Sequence, residues 1–269
     1  MIKASVIAAF YNRLDYLKFV LAGLERQTEK KFELIIADDG SQKEISNEIK
    51  KISNYYSFQI KQVWHEDKGF RKNKILNSAI RNSRADYLIF IDADCVPHRA
   101  FIEAHLNFSK PNTSLTGRRV NLSQKITSQL TEGKVRDGIL ENSSLKLLLD
   151  SVFGKTNYLE KGIYFKNRFL LNFFNRKTRG LLGCNFSLFK EDIFKVNGFD
   201  ERYGLPSIGE DSDIQFRLEL AGLKIKSVNH SAIQYHLYHE PQTRSAENLK
   251  LFEQLKKNKI CYTPDGLNK

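Results

Sequence analysis

Apolar positions in the first part of the chain switch repeatedly between two periods. Ala4-Ser5-Val6-Ile7-Ala8-Ala9-Phe10 is a short apolar run of strand type. Leu14, Leu17, Leu21 and Leu24 then recur at helical spacing and predict a helix over about 15–26. Phe32-Glu33-Leu34-Ile35-Ile36-Ala37 predicts a second strand, and Ile45, Ile49 and Ile52 a second helix. Residues 59–64 alternate as a third strand, and Ile75, Leu76, Ala79 and Ile80 make the core face of a third helix. Tyr87-Leu88-Ile89-Phe90-Ile91 is apolar throughout, which predicts a strand buried on both faces. Such strand–helix alternation is that of an α/β fold, a Rossmann-like, mostly parallel central sheet flanked by helices.

The second part is less regular. Residues 117–180 show no clean alternation, and the segment 161–179 is basic, with Lys161, Lys166, Arg168, Arg176, Lys177 and Arg179 and no acidic residue. Phe165, Phe169 and Phe173 predict an aromatic stripe on a helix there. That composition suits a helix lying in a membrane interface, and equally a core helix with a solvated basic face. A strand is expected over 183–189 and a turn at 197–200. Gly209-Glu210-Asp211-Ser212-Asp213 should open a helix with Ile214, Leu218 and Ala221 inside. A strand over 225–238 and a last helix over about 245–257, burying Leu249, Phe252 and Leu255, complete the pattern. The expected organisation is a single domain, with a half over 1–116 and a second half over 117–269.

Charge narrows the partners. The formal net charge of +12 favours nucleic acid, an anionic membrane or phosphorylated substrates. No zinc-finger spacing or RNA-binding aromatic signature is present, which argues against nucleic acid. No apolar run approaches the ~20 residues of a membrane span, and Met1-Ile2-Lys3 leads straight into a strand-like run without an export signal. Cys95, Cys184 and Cys261 lack metal-type spacing and read as free thiols, so a cytoplasmic location is expected, peripheral at the inner face of the cell membrane if the 161–179 segment meets lipid rather than acceptor.

Candidate chemistry gathers at strand ends, where α/β sheets place their ligands. Tyr11, Asp39 and Asp94 each follow a predicted strand. Asp92 and Asp94 stand two apart, so on an extended chain their carboxylates leave one face and repel. A divalent cation carrying a phosphorylated ligand would bridge them; a solvated turn is the simpler reading. A dinucleotide fold of the usual kind is disfavoured by the missing G-x-G-x-x-G. His236 and His239 sit at the end of a later predicted strand.

In order, these motifs are Phe10-Tyr11-Asn12, Asp38-Asp39-Gly40-Ser41, Asp92-Ala93-Asp94, Gly209-Glu210-Asp211-Ser212-Asp213 and a late histidine. The series closely resembles the family 2 glycosyltransferases of the GT-A fold, over nearly the whole chain. Residues 70–77 and 198–211 also look like segments of β-1,4-galactosyltransferases and polypeptide N-acetylgalactosaminyltransferases.

The resemblance implies a UDP-sugar donor and a C-terminal acceptor-binding half. By it, Asp39 accepts from the uracil NH, the Tyr11 region lines the base, and Asp92 contacts ribose or sugar. Asp94 would ligate Mn²⁺ or Mg²⁺, with His236, or else His239, completing the site. Arg71, Lys72 and Lys74 are candidates for the diphosphate. Asp211 would be the general base of an inverting transfer, with Glu210 on the acceptor. The implied product is a surface polysaccharide such as lipopolysaccharide, capsule or exopolysaccharide, built on a glycan or lipid-linked acceptor. A non-catalytic, glycan-binding relative of the same fold is the competing reading. A nucleotidyltransferase is disfavoured because Tyr11-Asn12-Arg13-Leu14 has no glycine.

Overall fold

The apolar runs become strands and the helical-period stretches become helices in the expected order. A computed structural model describes residues 1–206, 208–240 and 246–268, with side chains at all of these except 144, 145, 209 and 210. The first half runs β1 (Ala4–Phe10), α1 (Leu14–Glu25), β2 (Phe32–Asp38), α2 (Lys43–Ile52), β3 (Gln59–Trp64), α3 (Lys72–Arg81) and β4 (Tyr87–Asp92). Then follow β5 (Cys95–Pro97), α4 (Phe101–Phe108), β6 (Thr113–Thr116) and β7 (Arg118–Asn121). Four short helices come next: α5 (Gln124–Ser128), α6 (Glu132–Arg136), α7 (Ile139–Asn142) and α8 (Ser144–Phe153). The rest is α9 (Arg168–Phe174), β8 (Asn185–Phe189), α10 (Lys190–Phe194), α11 (Ile214–Leu220), β9 (Lys224–Ser227), β10 (Ile233–His236) and α12 (Ala246–Asn258).

Seven strands form the main sheet in the order β3-β2-β1-β4-β8-β6-β9. The first four are parallel, and β8 runs antiparallel to both of its neighbours. β4, apolar up to its terminal Asp92, takes the centre, as a strand buried on both faces must. Alternate residues feed two cores: Val6, Ala8, Ile89 and Ile91 face one side, and Ile7, Leu88 and Phe90 the other. Strand order reverses between β1 and β4, which opens a crevice at their C-terminal ends. Because β8 pairs with β4, one sheet crosses the division at residue 116.

Three expectations change. The stretch 225–238 is two strands in two sheets, because the chain turns between them with His230 at φ 63°. Its second strand, β10, lies between β5 and β7 in a three-stranded sheet. Leu255 of α12 is buried but Leu249 is exposed, since α12 covers the body with a narrower face than its apolar pattern suggests. Phe165 lies outside α9: the Asn167 side chain accepts from the Phe169 and Leu170 amides and starts the helix after it.

Candidate active site

β1, β2 and β4 deliver their C-terminal ends to one cavity of about 550 Å³, where Tyr11, Asp39, Asp92 and Asp94 meet. Local chemistry fixes the edges. Asn12 adopts φ 55°, a left-handed conformation that asparagine tolerates. Its amide donates to Ser41 Oγ at 2.8 Å, and its side chain accepts from the Gln42 amide, tying the β1 end to the β2 end. Gly40, at φ 94°, makes the turn after β2; a Cβ there would lie 2.6 Å from Asp67 Cα.

The two aspartates of β2 divide their work. Asp38 is buried and structural, accepting from the Ser41 amide and from Gln62. Asp39 faces the cavity, with Oδ1 2.7 Å from His65 Nε2 and Oδ2 accepting from the Arg71 amide at 2.9 Å. Arg71 therefore meets the site through its backbone, while its guanidinium donates to the Glu66 carbonyl. Lys74 is exposed on α3. Tyr11 donates to Asp67 at 3.0 Å, on the loop that closes one side of the cavity.

β4 ends at Asp92, and Ala93-Asp94 turn into β5. The two carboxylates consequently do not share an extended face. Asp92 accepts from Lys72 Nζ at 2.9 Å. Asp94 meets the histidines instead, because β10 pairs antiparallel with β5 in a register that sets His236 opposite Cys95. Asp94 Oδ2 is 3.6 Å from His236 Nε2 and 3.2 Å from His239 Nε2, and the two Nε2 atoms are 3.1 Å apart. Burial works to raise the Asp94 carboxyl, yet the hydrogen bonds from His236 and His239 outweigh it and hold it well below the usual carboxylate range. His239 is raised in turn by its bond to Asp94.

Behind this cluster lie two buried thiols and a guanidinium. Cys95 donates to Asp94 Oδ1 at 3.2 Å, and Arg119 Nη1 lies 3.3 Å from Cys184 Sγ. Burial pushes the Cys95 thiol well above its ordinary value, so it stays protonated and orients Asp94 as a donor. Burial also works against charge on Arg119, but the sulfurs of Cys184 and Cys95 and the carboxylates of Asp92 and Asp94 outweigh it. Arg119 lines the cavity as a fixed cation.

On the other side, Gly209–Asp213 forms a π-helical turn packed against α3. Asp211 accepts from the Ser212 amide at 2.6 Å and is half-buried. The side chain of Glu210 lies outside the described residues. Asp213 is structural: it pairs with Arg217 at 2.7 Å, both side chains fully buried, and Arg217 donates to the carbonyls of Val196 and Gly198. Asn73 and Asn77 of α3 donate to the carbonyls of Asp200 and Phe199. These bonds hold α3 against the turn at 199–200.

Sequence reasoning missed His65 and Arg119. His65 directly follows β3, a fourth strand end that carried the same signal as the other three. Arg119 reaches the cavity only through the pairing of β7 with β10, and nothing local marks it.

The N-terminal domain of galactosyltransferase matches residues 168–240. Chondroitin synthase of Escherichia coli is 26% identical over 280 aligned residues, covering 96% of this chain and 38% of that protein. Hyaluronan synthase of Pasteurella multocida is 26% identical over 243 residues, covering 86% and 24%. The chain thus spans well under half the length of these two relatives. Among solved structures, S. aureus TarS 1-349 in complex with UDP-GlcNAc superposes with a TM-score of 0.63 at 17% identity, covering 99% of this chain and 68% of that one. Mannosyltransferase PcManGT from Pyrobaculum calidifontis, in complex with GDP-Man and Mn²⁺, gives 0.58 at 15% identity, covering 93% and 60%. These two share the fold seen here. Glycosyl transferase family 2 matches residues 5–193, more than half of the chain, and the chain belongs to that family.

Proposed function

We propose that this family 2 glycosyltransferase is metal-dependent and inverting. It takes sugar from a UDP-sugar and places it on a glycan or lipid-linked acceptor of a surface polysaccharide. The observation that carries the metal reading is the Asp94–His236–His239 cluster. Its three facing donor atoms are 3.1, 3.2 and 3.6 Å apart. Ligands about 2.1 Å from an octahedral ion stand about 3 Å from each other, so Asp94, His236 and His239 are spaced to hold one such ion. Two imidazoles favour Mn²⁺ over Mg²⁺ in such a set. When bound, the ion supplies Lewis-acid stabilisation of the departing diphosphate.

The remaining work falls to the chain's own groups. Asp39, held by His65 and the Arg71 amide, presents a carboxylate to the base NH, and Tyr11 flanks the base. Lys72 and Arg119 add positive charge near the diphosphate, and Asp92 orients Lys72 and meets ribose or sugar. Asp211 takes the proton of the acceptor hydroxyl as its oxygen bonds to the anomeric carbon. The carbon–oxygen bond to UDP breaks with its electron pair going to the diphosphate. Asp213 is unsuited to that task, because its carboxylate is buried on Arg217. Glu210 contacts the acceptor.

The relatives named for chondroitin and hyaluronan synthesis, and the neighbours bound to UDP-GlcNAc or to GDP-Man with Mn²⁺, support this reading. A panel of UDP-sugars, assayed for UDP release with Mn²⁺ and again with EDTA, tests it. Release should depend on metal. Asp94→Ala should lose at least about 10²–10³-fold, and His236→Ala should raise the Mn²⁺ concentration needed. Full turnover by Asp94→Ala, or in EDTA, would reject the metal assignment.

A further inference from the structure

Residues 148–174 carry many apolar side chains outward. Of eighteen exposed large apolar side chains among the described residues, ten lie between 148 and 174. α8 exposes Leu148, Leu149, Val152 and Phe153, while Leu147 and Asp150 face inward. α9 repeats the pattern: Phe169, Leu170, Phe173 and Phe174 are exposed and Leu171 is buried. Both helices therefore show solvent an i, i+1, i+4, i+5 apolar stripe, the reverse of a helix serving the core. Phe153 is 85% exposed and Phe169 74%.

The charge of residues 144–179 has one sign. It holds Lys146, Lys155, Lys161, Lys166, Arg168, Arg176, Lys177 and Arg179 against two acids, Asp150 and Glu160. Asp150 is buried, accepting from Thr156, and Glu160 pairs with Lys161. Among the described residues no carboxylate is within ion-pair distance of Lys166, Arg168, Arg176, Lys177 or Arg179; Arg176 lies over the Phe173 ring instead. Lys166 and Arg168 also line a cavity of about 760 Å³ with Arg99, Tyr164 and Glu103, the last engaged by Thr28. The stretch is anchored underneath: residues 159–162 pack on β7 and β10, and Phe165 and Asn175 bond to the His230 and Asn229 carbonyls. Among the described residues no helix is long and apolar enough to cross a membrane.

We propose that α8 and α9 seat this protein on an anionic lipid bilayer, apolar stripes in the headgroup–acyl boundary and the surrounding lysines and arginines on lipid phosphates. Apolar rings beside unpaired cations fit that occupant, since a protein partner of matching area would leave the cations without counter-charge unless it were acidic. The proposal deepens the function above by placing the acceptor at a membrane surface, yet it stands or falls separately from the metal and the base.

The test is co-sedimentation of the full chain with vesicles of phosphatidylglycerol and phosphatidylcholine in equal parts, and of phosphatidylcholine alone. The chain should pellet with the first, pellet little with the second, and be released as salt shortens the Debye length to about 3 Å. Soluble glycerol phosphate at the same headgroup concentration should not displace it. The triple variant Phe153→Ser, Phe169→Ser, Phe173→Ser should weaken vesicle binding at least about tenfold, as should Lys166→Gln, Arg168→Gln, Arg176→Gln, Lys177→Gln. Both should keep UDP-sugar turnover in solution, which reports an intact fold. Asp94→Ala should bind vesicles like the parent. Equal recovery in the supernatant with every vesicle overturns the proposal. So does a concentration-dependent dimer in sedimentation velocity that both variants abolish without any vesicle binding, which assigns the face to a second copy.

Discussion

The strand-end cavity and the 144–179 excursion use the same residue types to opposite ends. In the cavity, charge faces inward and is paired: Asp39 with His65, Asp92 with Lys72, Asp94 with two histidines. In the excursion, among the described residues, most cations and the apolar stripes of α8 and α9 face outward, while Leu147 and Leu171 are buried and Leu159 and Tyr164 pack partly against the core. Parallel strands explain the first. They bring distant segments to one edge in fixed register, so a few polar side chains can be held within hydrogen-bonding distance. Short helices explain the second: α8 has 10 residues and α9 has 7. They cover little area each and leave much of their apolar surface outside.

The contrast can be broken first at Asp211. If the acceptor side supplies the base, Asp211→Asn should lower turnover by ~10²–10⁴ while UDP affinity, by calorimetry, barely moves. A variant that lost UDP affinity and kept turnover would place Asp211 on the nucleotide side.

A smaller effect is expected at Arg217, the fully buried cation beneath the 209–213 turn. Arg217→Met leaves Asp213 buried and unpaired, and should cost about 3–5 kcal/mol in urea unfolding. A loss under 1 kcal/mol would mean that water reaches Asp213.

His105 sharpens the comparison through pH. It is fully buried between Ser187 Oγ at 2.7 Å and Asn185 Oδ1 at 3.1 Å, with Tyr87 bonded to the same serine. Burial pushes its pKa down to about 3 from an ordinary 6.5, although the Asn185 bond opposes this. Folded protein keeps the ring neutral where unfolded chain takes up a proton. Stability should therefore fall as pH drops from 6.5 towards 3, by up to about 1.4 kcal/mol per pH unit. His105→Gln should flatten that slope in unfolding midpoints, and an unchanged slope would assign it to other groups.

The smallest effect belongs to the excursion. Phe153→Ser and Phe169→Ser should each change stability by no more than about 0.5 kcal/mol. A loss of 2 kcal/mol or more, on the scale of a buried ring, would show that the rings are covered in solution.

The four parallel strands of the main sheet were readable because period-2 and period-3.6 patterns alternate cleanly up to Asp94, whereas β6 was not foreseen and β9 was merged with β10. The excursion was half readable. Its basic and aromatic composition stood out, but a stripe fits core and interface alike, and α8 carried no flag. Phe165 was drawn into the wrong element because Asn167, a cap, resembles any other polar residue in a loop. Asp92 and Asp94 were legible as a pair and a turn there as an alternative, but the separate partners that the turn at Ala93 gives them were hidden.

By itself the sequence determined the elements of the first half, the central place of β4, and the strand ends that supply Tyr11, Asp39 and Asp94. Each depends on near neighbours in the chain, through apolar period and propensity. Tertiary structure alone decided that both histidines face Asp94 together, that His65 holds Asp39, that Arg119 enters the cavity and that Asp213 is paired with Arg217. The first three need register between segments far apart in sequence. The last needs a buried cation, which resembles an exposed one until the chain has folded around it.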